Sequence, residues 1–331
     1  MSAAATTTAA VDLTKALGYK APPTKVVFTP RDYMLYALSI GIHSDQLHFL
    51  YENNPYFAAF PTYPLVLAFK RDSHGVSVYD GAGYDAIPGI PSFDPNTAVH
   101  GEQSLEVHRP LPIEGAKDFE LHSTVTGVYD KGSGMVIERT AQLVDTKDVA
   151  RPYATMMGSA FVRGSGGWGG PRGPASDPAG GKKLESLDPP KDRKPDNVFE
   201  NSTHADQAIL YRLSGDYNPL HIDPEIAPMV GLERPILHGL CTYGHSAHAI
   251  LKTYGYSDPR AFKSITGRFS APVLPGDTLV TKMWNVPSSS PENKGQIRIL
   301  FQTYAKERDL LVINSGCVVL QNPSSLTPSK L

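Results

Sequence analysis

The chain has 331 residues, a length that fits two ordinary domains better than one or three. Its 31 Lys and Arg against 33 Asp and Glu give a formal net charge of −2, without the basic excess of a general nucleic-acid binder. Apolar residues at 40% suffice for a folded core, only two cysteines argue against a disulfide-rich secreted module, and no stretch approaches the ~20 apolar residues of a membrane helix.

The clearest element of the first half is an antiparallel hairpin. Two β-rich runs, at 119–129 and 135–144, flank the turn sequence DKGSG, and a hairpin is typical of this pattern. A loop region and one main helix are expected before these strands.

A segment rich in Gly, Pro, Ser and charge follows at 164–197 and shows neither a helical nor a strand period. Its GSGGWGG run lacks the Gly-Lys-Ser/Thr ending of a phosphate loop, so a bridging turn is expected. We predict a first domain at 1–163, a linker at 164–200, a second domain at 201–322 and a tail at 323–331.

The two halves also resemble each other weakly. The run that begins at Tyr36 has an echo at Tyr211, and the glycine and proline pattern after Gly101 has an echo after Gly267. A duplicated unit explains both echoes, although short matches of this kind also arise by accident.

In the second half, small and apolar residues at helical spacing predict a long helix that begins near Pro235 and ends at Gly255. The strand runs Gln296–Ala305 and 310–320 follow, separated by a charged turn. One helix packed on an antiparallel sheet, twice over, is an α+β architecture.

The segment SGDYNPLH at 214–221 holds the densest set of reactive groups. Pro219 disfavours a helix at the residue before it, so a bent loop can turn Asp216 and His221 towards one point as an acid and base pair. Asn218 can hold a water molecule or a carbonyl group without titrating. The alternative is a simple Asx-turn with His221 at a surface corner.

Gly239 lies in the opening turn of the predicted long helix. Backbone N–H groups there have no partner within the helix, and the helix dipole favours negative charge. Such a position next to an acid and base pair is an oxyanion-binding arrangement.

Several ordered segments together resemble the MaoC-like enoyl-CoA hydratase 2 family. They are VHGEQSLEVHRPLP from Val99, DKGSGMVIERT, GSGGWGG, YRLSGDYNPLHIDPEIA and RPILHGLCTYG, and they extend over nearly the whole chain. The resemblance implies a double hot-dog fold, with two long helices each wrapped by an antiparallel sheet. It also implies that only the second half is catalytic, since the first half has Ile42 or a neighbour where the second has Asp216, and that the first half makes room for the acyl chain.

The same resemblance implies roles for individual residues. Asp216 and His221 would activate one water molecule for syn addition to a trans-2-enoyl-CoA, and the N–H of Gly239 would polarise the thioester oxygen. Substrate contacts would come from His100, Gly101, Lys131, Tyr217, Asn218, Pro219, Leu220 and Phe269. The product would be a (3R)-3-hydroxyacyl-CoA, made by a homodimer with no metal and no cofactor beyond the coenzyme A of the substrate.

Three further histidines, His238, His245 and His248, lie on the predicted long helix. Their spacings of seven and three, without supporting cysteines or carboxylates, do not match a zinc site. We expect structural or solvent-facing roles for them.

The C-terminal tripeptide Ser329-Lys330-Leu331 matches a peroxisomal targeting signal, which a peroxisomal import receptor would bind. The chain is therefore expected in the peroxisome. Two functions remain as alternatives to hydration: thioester hydrolysis on a hot-dog fold, and acyl-CoA binding without catalysis.

Overall fold

The computed structural model describes residues 11–76, 79, 86–174, 186–287 and 295–322. The tripeptide Ser329-Lys330-Leu331 lies outside these residues. The strands are β1 Thr24–Phe28, β2 Ala98–Val107, β3 Ala116–Asp130, β4 Gly134–Asp145, β5 Ala154–Arg163, β6 Asn197–Ser202, β7 Phe262–Phe269, β8 Thr278–Val286, β9 Gln296–Ala305 and β10 Leu310–Gln321. The α-helices are α1 Leu13–Ala16, α2 Pro30–Ser39, α3 Leu67–Lys70, α4 Gln207–Arg212, α5 Ile226–Met229 and α6 Gly239–Tyr254.

The ten strands found in the described residues belong to one antiparallel sheet, in the order β1-β3-β4-β5-β2-β7-β10-β9-β8-β6. From its outer edge inward, each half contributes its first, third, fourth, fifth and second strand, so the two halves have the same topology. The halves meet at β2 and β7, which pair antiparallel from Glu102 opposite Arg268 to Glu106 opposite Ser264. This repeated strand order supports the duplication that the sequence favours. Both predicted hairpins, β3–β4 and β9–β10, are present.

The long helix of the second half, α6, lies against β6, β7, β8 and β10. Twelve consecutive residues, from Leu240 to Leu251, are buried, so the helix has no exposed face over three turns. At Gly244 an added Cβ would lie 2.5 Å from Cγ2 of Ile40, which explains why small residues recur on this helix. The helix ends at Gly255 as predicted but begins at Gly239 and not at Pro235, because the N–H of Leu237 donates to the carbonyl of Val273 in extended backbone.

The first half has no helix of this length in its described residues, which corrects the expectation of two long helices. Between β1 and β2 it has α2 with ten residues and α3 with four. Pro55, Pro61 and Pro64 lie between them, and each removes a backbone donor that a continuous helix would need. Aromatic packing fills the core there: Tyr33 and Tyr63 contact edge to face at 4.9 Å.

The GSGGWGG run after β5 folds back on the β3–β4 turn. The carboxylate of Asp130 accepts hydrogen bonds from the backbone N–H groups of Gly132, Gly167 and Gly169, at 2.7–2.8 Å. These bonds lower the pKa of Asp130 to about 2. The strand β6 begins at Asn197, so the last residues of the predicted linker belong to the second half of the sheet. None of the helices among the described ranges is both long and apolar enough to cross a membrane.

Candidate active site

The loop that carries the reactive residues begins at Gly215, shortly after α4 ends at Arg212. Gly215 has a φ of +129°, and a Cβ there would lie 2.6 Å from both the Cα and the backbone N of Lys70, at the end of α3. Only glycine fits this conformation and this contact. The first half of the chain therefore fixes the start of the loop in the second half.

The next residues form two consecutive side-chain turns. The Asp216 carboxylate accepts from the N–H of Asn218 at 3.2 Å, and the Asn218 side chain accepts from the N–H of Leu220 at 3.0 Å. A short 3-10 turn, Pro219–His221, follows. The Asx-turn alternative is thus correct as a description of the local backbone, and this geometry also brings Asp216 and His221 together.

His221 is held in one tautomer by the chain that leads into α6. Its Nδ1 lies 2.8 Å from the carbonyl oxygen of Ile236, and since a carbonyl only accepts, Nδ1 carries the proton. Nε2 of the neutral ring therefore presents a lone pair. One side-chain nitrogen or oxygen from each of Asp216, His221 and His238 lies within 4.8 Å of the others, and Asp216 and His221 are half-buried and so can be reached.

Burial governs the protonation of this pair. It raises the pKa of the Asp216 carboxyl, and the nearby His221 imidazole opposes the rise. It lowers the pKa of His221, and the Asp216 carboxylate opposes the fall. Burial therefore moves the pKa of the carboxyl group up and that of the imidazole down, so that the two values approach each other.

Gly239 is the first residue of α6, so its N–H belongs to the opening turn, whose amides have no partner inside the helix. The ring of Phe269, at the end of β7, packs over it: a Cβ on Gly239 would lie 3.2 Å from Cε1 of Phe269. Absence of a side chain at this position keeps the backbone accessible beside the aromatic ring.

Residues of β2 reach the same place across the β2–β7 pairing. The ring of His100 lies 4.8 Å from that of Phe269, and burial lowers the pKa of His100 to about 4, so the ring is neutral near pH 7. At Gly101 the pairing of β2 with β5 shifts register, and a Cβ there would lie 3.0 Å from the hydroxyl of Ser159. The pairing therefore brings the ring of His100 from the first half to Phe269, whose ring covers Gly239 in the second.

Comparison with known proteins decides the family. The chain matches the MFE-2 hydratase 2 N-terminal domain over residues 27–164 and the MaoC like domain over residues 187–300. A Dictyostelium discoideum protein named probable enoyl-CoA hydratase 2 is 37% identical over 312 residues, which cover 94% of this chain and 97% of that protein. The chain belongs to the MaoC-like enoyl-CoA hydratase 2 family.

Other relatives of this hydratase 2 family member differ in length. The protein of Arabidopsis thaliana named enoyl-CoA hydratase 2, peroxisomal, is 34% identical over 326 residues, with 93% of this chain and 95% of that protein covered. The peroxisomal multifunctional enzyme type 2 of Mus musculus is 38% identical over 321 residues, but the match covers only 40% of it. The chain therefore corresponds to one part of the mouse enzyme.

Solved structures confirm the double hot-dog architecture. A MaoC-like dehydratase from Phytophthora capsici has a TM-score of 0.82 at 38% identity, with 96% of this chain and 100% of that chain covered. A Mycobacterium tuberculosis protein described as a double hotdog fold has a TM-score of 0.54 at 14% identity, with 92% and 96% covered, and this likeness concerns the fold alone.

The structure places the remaining predicted residues of this hydratase 2 family member in two regions. Tyr217 lies in the loop itself, with the guanidinium of Arg212 4.9 Å from its ring centre. Lys131 lies in the β3–β4 turn, exposed, and its ammonium group donates to the carbonyl of Arg172. Its part in substrate binding stays a prediction.

One residue of the site was not expected to be part of it. A structural or solvent-facing role is what the spacing of the helix histidines predicts for His238, yet this residue is 1% exposed and its ring stacks on His221 at 3.7 Å. The available signal was its position next to Gly239. Stacking itself depends on the tertiary fold, which spacing along the chain does not reveal.

Asp216, His221 and His238 also form a group of potential metal ligands. Their geometry fits an ion poorly, because the two imidazole rings are stacked with an interplanar angle of 28°. A metal in the plane of one ring would lie well outside the plane of the other, where that ring has no lone pair. The expectation of a reaction without metal or cofactor stays a prediction.

Proposed function

We propose that the protein is an (R)-specific 2-enoyl-CoA hydratase, a hydro-lyase that adds water to trans-2-enoyl-CoA in peroxisomal fatty-acid β-oxidation. The observation that carries the proposal is the convergence of Asp216 and His221 beside the first turn of α6. Relatives named enoyl-CoA hydratase 2, matched over almost their whole length, support the same reaction.

In the proposed reaction, the substrate thioester oxygen accepts a hydrogen bond from the N–H of Gly239. Addition of water at C3 builds negative charge on this oxygen, and one preorganised donor there contributes roughly 10²–10³ in rate. The helix dipole of α6 acts in the same direction.

Asp216 and His221 together hold the attacking water. One O–H bond of the water breaks as its oxygen bonds to C3, and the pair takes up this proton and delivers one to C2. Such acid and base catalysis contributes typically ~10²–10⁴ in rate. Both new bonds form on the face of the double bond that the pair occupies, so the addition is syn. The proposed product, (3R)-3-hydroxyacyl-CoA, requires in addition that the pair lie on the face of C3 that gives this configuration.

The substrate contacts proposed for this reaction are His100, Gly101, Lys131, Tyr217, Asn218, Pro219, Leu220 and Phe269. The Phe269 ring and the half-buried His100 ring support this role, since they line the approach to Gly239. Space for the acyl chain is expected in the first half, where no described helix matches α6.

The decisive test supplies purified protein with crotonyl-CoA and with a long-chain trans-2-enoyl-CoA. We expect loss of the absorbance of the conjugated thioester and a product of 3R configuration. Formation of the 3S product would contradict the stereochemistry. Release of free thiol would indicate a thioesterase, and binding without turnover would indicate a non-catalytic acyl-CoA-binding protein.

We also propose that the protein works in the peroxisome as a homodimer. Relatives with peroxisomal names and the tripeptide Ser329-Lys330-Leu331 support this location. A fluorescent protein fused upstream of the chain should enter peroxisomes and should stay outside them when the tripeptide is deleted. Light scattering of the purified protein should give twice the 35.8 kDa chain mass.

A further inference from the structure

His238 has no part in the reaction derived above, although it contacts the main chain of Asp216 and the ring of His221 and directly precedes Gly239. Its Nε2 lies 3.1 Å from the backbone carbonyl oxygen of Asp216. A carbonyl only accepts, so Nε2 carries the proton and His238 donates. This bond ties the main chain of the reactive loop to the start of α6.

The ring of His238 also supports that of His221. The two imidazoles stack with their centres 3.7 Å apart, and Tyr211 packs against the ring of His238 at 4.9 Å. With Nδ1 of His221 bonded to Ile236, the stacked ring leaves His221 little freedom to rotate. The Nε2 of His221 is thereby aimed in a fixed direction.

His238 is in addition the residue that precedes Gly239 at the start of α6. Its Nδ1 is buried and has no hydrogen-bond partner among the described residues, so the bond to Asp216 is the single one found for this side chain there. Burial, assisted by the nearby His221, lowers the pKa of His238 well below its usual value. The His238 ring is therefore neutral, which agrees with one ring nitrogen that donates a hydrogen bond and one that has no partner among the described residues.

We propose that His238 is a positioning residue that aligns Asp216, His221 and the N–H of Gly239 for the reaction, through its hydrogen bond to the loop and its stacking on His221. This inference rests on the proposed hydratase function. His238 itself exchanges no proton with the substrate.

Two variants separate the two contacts. His238→Gln keeps an N–H donor at about the reach of Nε2 but removes the ring, whereas His238→Phe keeps a flat ring but removes the donor. We expect each to lower kcat on the order of 10²-fold, since a misalignment of about 1 Å costs that much. KM should change far less, because neither variant removes a substrate contact.

The pH profile distinguishes positioning from a general structural effect. The groups that face His221 are Asp216 from the loop and His238 from α6, with Arg212 of α4 behind them. Loss of the ring in His238→Gln exposes His221 to water, so its pKa should rise towards 6.5 and the acid limb of kcat/KM should move to higher pH. In His238→Phe the limb should stay in place.

His245→Gln is the matched control. His245 is as buried as His238 and lies on α6, the helix that His238 precedes, but its hydrogen-bond partner is Asn201 and not the reactive loop. We expect a kcat close to that of the wild type, whatever the change in melting temperature. Equal kcat losses in His245→Gln and the His238 variants would reduce His238 to a structural residue.

If the wild type hydrates an enoyl-CoA and the His238 variants have the same kcat, the positioning role alone is overturned. Wild-type protein that does not hydrate an enoyl-CoA would overturn the proposed function and this role with it.

Discussion

At the scale of single residues, burial makes a carboxyl group and an imidazole more alike as acids. The pKa of Asp216 is raised and that of His221 is lowered, in both cases first by burial. Proton transfer through a shared water costs least when donor and acceptor have similar pKa values. The partly buried loop therefore suits a reaction in which a proton must leave one group and arrive at another.

Removal of either group should abolish most of the activity without unfolding the protein. For Asp216→Asn and His221→Ala we expect kcat to fall by roughly 10²–10⁴ on crotonyl-CoA, because acid and base catalysis contributes that factor. Circular dichroism should report an intact fold. The control is Asp223→Asn. Within the described part of the chain, the Asp223 carboxylate accepts only from the N–H of Glu225 in the same turn, so the variant should keep wild-type activity.

Because Asp216 and His221 influence each other, replacing either one should shift the pKa of the other, and the two shifts should have opposite signs. The Asp216 carboxylate raises the pKa of His221, so Asp216→Asn should lower it further below 6.5. His221 lowers the pKa of Asp216, so His221→Ala should raise it further above 3.8. An NMR titration with labelled histidine and aspartate side chains measures both, and an unchanged His221 pKa in Asp216→Asn would show that the two groups are not in electrostatic contact.

At the scale of elements, the sequence predicted the antiparallel hairpins, which are encoded locally by β-rich runs and the turn residues between them. The hairpin β9–β10 was predicted to within a residue at each end, because β-branched runs flank a charged turn. The start of α6 was placed too early. Pro235, Ile236 and Leu237 are apolar, but they lie outside the helix, and the N–H of Leu237 donates to the carbonyl of Val273. The sequence did not predict that the first half lacks a helix as long as α6 in its described residues, although Pro55, Pro61 and Pro64 after α2 argue against one.

The same limits apply to the candidate site. Asp216, His221 and Gly239 could be named from residue types and order along the chain. The stacking of His238 and the contact of Gly215 with Lys70 could not, because both partners are distant in sequence or have no distinctive spacing.

The hydrogen bonds that the Asp130 carboxylate accepts in the β3–β4 turn allow a test of stability. Its pKa is lowered to about 2 by backbone N–H donors, so its contribution to stability is complete above the ordinary value of 3.8 and is lost as pH falls through about 2. We expect the urea concentration at which Asp130→Asn unfolds to be lower than that of the wild type at pH 7. The difference between the two urea midpoints should become smaller below pH 4.

Asp118→Asn is the control for this experiment. Asp118 is also on β3 but forms an exposed ion pair with Lys147 at 3.0 Å, and exposed pairs of this kind contribute little to stability because solvent screens them. A loss of stability at pH 7 no greater than that of this control would contradict the role assigned to the Asp130 hydrogen bonds.

At the scale of the whole molecule, the first half supports the loop and the helix that carry Asp216, His221 and Gly239. Lys70 supports Gly215, Ile40 packs on Gly244, and β2 pairs with β7. The second half alone would expose the edge of β7 and one side of α6. Unpaired strand edges and uncovered apolar surface favour aggregation.

We therefore expect a fragment of residues 187–322 to be inactive, although it contains Asp216, His221 and Gly239. Expression of this fragment and measurement of its crotonyl-CoA turnover and its state of association test the prediction. Co-expression with residues 1–174 is the control and should recover part of the activity. A lone fragment as active as the full chain would show that the first half is dispensable for the reaction.

The antiparallel seam between β2 and β7 has a consequence for behaviour on dilution. Because both strands belong to one polypeptide, their encounter is intramolecular, and its effective concentration is set by the tether and not by how much protein is in the tube. Specific activity that depends on this seam should remain constant down to the lowest enzyme concentrations that an assay can use.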